Sequence, residues 1–177
     1  MNIEALKQLV RERIKGTRKG SEEPAAEHSI RVSEILARYG YPEEVVIAGL
    51  LHDILEDSPT TVTELKELGL SARVLDLLHL VTHDEALPEG DGRFVEMLGR
   101  IVQRGDTDAL AIKAADIMDN LVGCVTLSPA RRQNMRLTKA PFIRNISQGY
   151  IQKALWEALN EKIREAYAAE GVSLIKI

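Results

Sequence analysis

The sequence is short of aromatic residues, of cysteine and of positive charge. Phe, Trp and Tyr together make up 4% of its 177 residues, so any core must be aliphatic. One cysteine, Cys124, excludes an internal disulfide framework and a cysteine-rich zinc site; it reads as a small buried hydrophobe. A formal net charge of −4 and a pI near 5.6 argue against nucleic acid as a partner. No apolar run approaches the roughly 18 residues that a membrane span needs. The start, Met1 to Lys7, lacks the apolar stretch of a signal peptide, so the expected location is cytoplasmic. No Gly-x-Ser-x-Gly elbow is present to support a serine nucleophile. No segment is repetitive, and no alternating pattern promises a sheet.

Apolar residues are nevertheless plentiful, at 45%, and they recur at helical spacing. The expectation is an all-α bundle of about eight or nine helices. It would form a single domain over 1–177, with its core at about 20–160 and a closing helix and tail to 177. Ile3, Leu6, Val10 and Ile14 share one stripe of a first helix. A second, from about Pro24 to Tyr39, puts His28 on the same stripe as Val32, Ile35 and Tyr39. Pro42 opens a central helix that Ser58-Pro59 closes. Residues 63–69 form a short helix with a threonine cap and a glycine stop, and Ser71 caps the next. Further helices cover about 93–103, 109–125 and 128–137. A long closing helix is expected from Pro141 to Glu170, with Tyr150 and Trp156 toward the core. Residues 171–177 read as a short strand or docking arm.

The central helix poses a physical problem. Val45, Ile47, Leu50, Leu51, Ile54 and Leu55 leave it no wet face, yet it carries His52, Asp53, Glu56 and Asp57. A buried carboxylate without a partner is costly enough that it would rather take up a proton. A basic side chain or a metal must compensate. No basic residue lies on that helix, whereas two other apolar helices offer His28 and the pair Asp116 and Asn120, four apart on one face. Two imidazoles and two carboxylates suit Mn²⁺, Fe²⁺ or Zn²⁺.

These residues resemble the H…HD…D signature of the HD-domain metal-dependent phosphohydrolases. The segment Gly49 to Thr61 is similar to the HDxxED stretch of the RelA/SpoT-type ppGpp hydrolase domain and its small stand-alone relatives. Ile112 to Leu121 resembles that family's segment around its last metal-binding Asp, and Thr17 to Gly20 its basic loop. Two stretches differ from the family pattern. Pro24 to Ser29 lacks the tyrosine of Pro-Tyr-x-x-His-Pro, and Ile117-Met118-Asp119 replaces a run with a second basic residue.

The resemblance implies that His28, His52, Asp53 and Asp116 hold one divalent ion, Mn²⁺ first, with Fe²⁺, Zn²⁺, Mg²⁺ or Ni²⁺ as alternatives. It implies that Glu56 and Asp57 orient or deprotonate water, that Asn120 meets the ribose or the ion's surroundings, and that Arg18 and Lys19 meet a nucleotide such as ppGpp. Tyr150 is a candidate to stack on a base. The function expected is hydrolysis of a nucleotide phosphoester or pyrophosphate, of the 3′-pyrophosphohydrolase type. A nucleoside 5′-monophosphatase and a non-catalytic nucleotide sensor are the rivals. Plainer readings stand beside these roles: a core histidine at His28, an Asp116–Lys113 pair, a solvated end at Glu56-Asp57 and a solvated basic loop at Arg18-Lys19. His79 and His83, four apart, are a weaker metal pair, and Arg131, Arg132 and Arg136 a possible phosphate-facing edge. Oligomeric state is not legible.

Overall fold

The computed structural model describes residues 2–172 and contains no strand among them; the only β-type contact is an isolated bridge between Thr17 and Pro24. The helices are α1 (Ile3–Arg13), α2 (Ala25–Arg38), α3 (Glu43–Leu51), α4 (Val62–Glu67), α5 (Ala72–Val81), α6 (Asp91–Arg104), α7 (Thr107–Gly123), α8 (Pro129–Asn134), α9 (Ala140–Ser147) and α10 (Lys153–Ala169). Residues 173–177, most of the expected strand or docking arm, lie outside the described residues.

The most enclosed helix is α7. It packs against α2, α3, α5, α6, α9 and α10. Its alanines, Ala109, Ala111, Ala114 and Ala115, are fully buried, and such small side chains let neighbours approach closely. Asp106 caps it, accepting the Ala109 N–H at 3.0 Å, and is clamped by Arg73 from α5 at 2.6 and 3.0 Å. Gly49 plays a similar role between α2 and α3. A Cβ there would overlap Leu36 Cδ1, so a larger residue fits between the two helices only if the buried Leu36 side chain shifts.

Three expected boundaries move. The central helix ends at Leu51 rather than Ser58, and residues 52–58 are tight turns. The His52 ring accounts for this: its Nδ1 donates to Gly49 O at 2.9 Å, the carbonyl that Asp53 N–H would use in a continuing helix. The short helix at 62–67 is capped by Thr61, in a capping box with Glu64. Pro141 does not open the closing helix. Ala140 N–H reaches back five residues to Met135 O, so a π turn at Met135–Lys139 carries the chain from α8 into α9. The break falls instead at residues 148–152, where Gly149 adopts φ +81°. Tyr150 therefore sits on a turn, 66% exposed, and not in the core.

Candidate metal centre

α2, the turn after α3, and α7 bring the expected ligands together. One donor atom from each of His28, His52 and Asp53 lies within 4.8 Å of the others. Asp116 Oδ1 stands 3.1 Å from His28 Nε2 and 3.8 Å from His52 Nε2. The two imidazoles meet edge to face, their centroids 5.1 Å apart.

The decisive atom is His52 Nε2. The ring is buried, and because a carbonyl can only accept, the hydrogen of the uncharged ring is on Nδ1. Nε2 is then a bare lone pair with no hydrogen-bond partner among the described residues. Its nearest carboxylate oxygen, Asp53 Oδ1, is 3.1 Å away and is also an acceptor. No arginine or lysine nitrogen lies within 4 Å of Asp53 among the described ion pairs, which link it only to His28, at 3.7 Å, and His52. Acceptors converging without a donor are what a divalent cation requires, and N and O donors are its usual ligands. These residues fit such an ion.

Basic residues do share part of the compensation, contrary to expectation. Lys113, buried on α7, contacts Asp116 Oδ2 at 2.5 Å. Burial opposes its charge, but Asp116, Asp53 and Glu56 hold its pKa above the usual lysine value. Asp116 is held well below the carboxylate range: burial pushes the other way, and Lys113 with the histidines outweighs it.

Asp119 is the functional residue that the sequence reading missed. It is buried on α7, and its oxygens collect His28 Nδ1 at 2.7 Å, Arg31 Nε at 2.6 Å and Arg18 Nη1 at 2.9 Å. A carboxylate behind an imidazole fixes the ring and leaves its far nitrogen for an ion. With no ion, His28 is pushed up to about 9: burial favours the uncharged ring, but the bonds to Asp116 and Asp119 prevail. The available signal was spacing, since Asp119 lies one turn beyond Asp116 on a helix with no other exposed face for it.

Arg18 and Asn120 meet each other beside the carboxylates, and both line the cavity. Arg18 Nη2 donates to Asn120 Oδ1 at 2.7 Å, and Asn120 Nδ2 donates to Asp116 Oδ1 at 2.5 Å. Gly123 makes this possible: its missing Cβ is where the guanidinium lies, with Arg18 atoms 2.9–3.1 Å from the built position. Arg18 thus braces the carboxylates from within the cavity lining, and Lys19, exposed, lines the same cavity. That cavity measures about 890 Å³, with His28, Asp53, Asp57 and Asp116 in its wall and Lys15, Lys139 and Phe94 elsewhere in its lining. Tyr150 is not among the lining residues, nor are Arg131, Arg132 and Arg136; Arg132 and Arg136 pair with Glu170.

The Glu56-Asp57 pair also divides. Glu56 directs both oxygens to His83, at 2.9 Å to its backbone N–H and 2.8 Å to Nδ1. Asp57 lines the cavity at its open edge. Its pKa is pushed up by the protein around it and by the charges of Asp53 and Glu56, which suits a proton acceptor. His79 is exposed and forms no metal pair with His83.

A family model described as HD domain matches residues 6–139. The chain belongs to the HD-domain family. This HD domain is 31% identical over 135 residues to a guanosine-3′,5′-bis(diphosphate) 3′-pyrophosphohydrolase of Haemophilus influenzae, covering 72% of the chain and 19% of that protein. It is 30% identical over 133 residues to the bifunctional (p)ppGpp synthase/hydrolase SpoT of Escherichia coli, covering 72% and 18%. The human pyrophosphohydrolase MESH1 is 33% identical over 100 residues, 55% of this chain and 54% of that one. The chain thus spans about a fifth of the first two relatives. Among solved structures, one reported as "A metazoan ortholog of SpoT hydrolyzes ppGpp and plays a role in starvation responses" superposes with a TM-score of 0.78 at 24% identity, covering 96% of each chain. The lmo0812 structure from Listeria monocytogenes EGD-e gives 0.66 at 24%, covering 80% of this chain and 99% of that one. At that identity both establish the all-α HD fold alone.

Proposed function

We propose that the chain acts as a single cytoplasmic phosphohydrolase domain that removes the 3′-pyrophosphate of a ppGpp-type nucleotide, using one divalent ion, Mn²⁺ first. The observation that carries this is the buried, unpartnered Nε2 of His52 facing Asp53. The named activities of the relatives support the substrate class. His28, His52, Asp53 and Asp116 would hold the ion. When bound it supplies positive charge against the phosphates and a more acidic water. Asp57 takes the proton of the attacking water. Lys113 and Asp119 keep Asp116 and His28 in place, and Arg18 and Asn120 brace that arrangement. Lys15, Lys19 and Lys139 offer cations to the phosphates around the cavity.

One observation favours a second reading, a different nucleotide such as a 5′-monophosphate. Arg18 gives in-plane donors of Nη1 and Nη2 to Asp119 and Asn120, which leaves fewer of them for the oxygens of a 3′-pyrophosphate. The test is product release from a panel containing ppGpp and 5′-monophosphates, with Mn²⁺. Loss of turnover in His52→Ala and Asp53→Ala, with helical content kept, is expected. Full activity in those variants would refute the site, and turnover of 5′-monophosphates alone would select the second reading.

A further inference from the structure

His83 and Glu56 form a pair that the reaction above leaves unassigned. Glu56 lies three residues beyond Asp53, and His83 lies just past the end of α5. Both Glu56 oxygens go to His83, one to the backbone N–H and one to Nδ1. One bond anchors the His83 backbone, and the other orients the ring and places a hydrogen on Nδ1. Burial opposes the charge of Glu56, yet its bonds to His83 keep its pKa below the ordinary value, so the brace is anionic. Nε2 of His83 has no hydrogen-bond partner among the described residues, and the side chain lines the same cavity as Asp53, Asp57, Lys113 and Asp116. The cavity therefore holds a carboxylate-braced imidazole with one nitrogen free, beside the candidate ion site.

We propose that His83 is the general acid of this site and Glu56 its positioning residue. The proposal rests on the phosphohydrolase reading. In the step it serves, the water oxygen forms a bond to phosphorus and the bond from phosphorus to the sugar oxygen breaks. That oxygen leaves with the electron pair, and His83, which enters the step as the imidazolium with a hydrogen on each nitrogen, gives it the Nε2 proton and keeps the Nδ1 hydrogen toward Glu56. Asp57 takes the proton lost by the water, and exchange with solvent restores both side chains. A sugar alkoxide is a poor leaving group, so a positioned proton is worth roughly 10²- to 10⁴-fold in rate. A thiolate leaves without one.

The experiment compares the nucleotide that the wild-type chain hydrolyses best, starting with ppGpp, with its analogue carrying sulfur at the scissile bridging position. With Mn²⁺ bound, His83→Gln should lower kcat on the oxygen substrate by about 10²-fold or more and on the sulfur analogue by less than about tenfold. Metal content should match wild type. Nitrogen NMR of the chain without nucleotide should show the hydrogen on Nδ1 of His83, and Glu56→Gln should weaken that preference. Equal losses on both substrates, an unchanged kcat on the oxygen substrate, or a hydrogen resident on Nε2 alone would overturn the proposal. A wild-type chain inert toward every nucleotide would instead overturn the phosphohydrolase reading, and this proposal with it, even with the NMR result intact.

Discussion

Asp119→Asn is the sharpest perturbation of the centre, because it removes one charge and almost no volume. Asp119 receives His28 Nδ1 at 2.7 Å, Arg31 at 2.6 and 3.0 Å, and Arg18 at 2.9 Å. Breaking a buried ion pair from one side costs about 3–5 kcal/mol, which is the ceiling here. Three terms lower it. The asparagine keeps one acceptor oxygen, Glu23 still engages Arg31 at 2.5 Å, and the Arg31 side chain is 35% exposed and so partly screened. About 2–3 kcal/mol remains, or a fall in Tm of roughly 5–10 °C at about 2–4 °C per kcal/mol for a chain of this size. The amide also turns a donor toward donors, so His28 loses its orientation, and ion affinity should drop by about 10- to 100-fold. The pH dependence gives a second check. The folded pKa of Asp119 is depressed because the bonds to His28 and Arg31 overcome its burial. Its stabilisation is therefore complete above the unfolded value near 3.9 and is lost as pH falls through the folded value. The gap between wild type and variant should be full at pH 7 and shrink toward pH 2. Thermal melts across pH, with calorimetric metal titration, read both effects. An unchanged Tm with unchanged ion affinity would refute the role assigned to Asp119.

Gly49→Val should cost about 1–3 kcal/mol by overpacking against Leu36 Cδ1, seen as a lower urea midpoint with an unchanged slope; a midpoint equal to wild type would mean that α2 and α3 can part freely. Asp106→Asn keeps the cap of α7 but gives up the charge that Arg73 clamps. Burial raises the Asp106 pKa, but the Arg73 bond lowers it further, so its contribution is present above about pH 4 and vanishes as pH falls through the folded value. The variant should be about 1–2 kcal/mol weaker at pH 7 and equal to wild type in acid, and a constant gap would count against the ion pair. Chelation should lower Tm: an ion at about 100 times its Kd contributes roughly 2.7 kcal/mol, and His52→Ala should abolish the response.

The all-helical class and the inward stripe of His28 were legible because both rest on periodicity, which burial enforces. So was the gathering of His28, His52, Asp53 and Asp116, since carboxylates in apolar helices need a common answer. The end of α3 was not legible. It depends on a ring taking a carbonyl from the backbone, a competition that leaves no periodic trace. Pro141 misled for a related reason: proline marks a first turn on average, but a π turn let the preceding helix absorb it. Tyr150 failed with it, because it falls in the break at 148–152, while Ile151, Leu155 and Leu159 beyond it are buried as their spacing predicts. The contact of Glu56 with His83, 27 residues away, was not legible either, because only the fold brings the two together.

The charges around the centre show which carboxylates the basic residues hold and which one is left to the histidines. Asp116 faces Lys113, and Asp119 faces Arg18 and Arg31, the latter shared with Glu23. With Asp53 these make four carboxylates, and they stand against Lys113, Arg18 and Arg31, with the His28 ring, pushed up to about 9, as the fourth positive group when no ion is bound. Asp57 adds another negative charge whenever it is ionised, which its surroundings oppose. A divalent ion held by His28, His52, Asp53 and Asp116 would take the place of the His28 proton and add positive charge, acting on an anionic ligand in the same direction as the lysines in the cavity lining. The basic residues hold the outer carboxylates, and Asp53, which meets only histidines among the described ion pairs, is the one left to an ion.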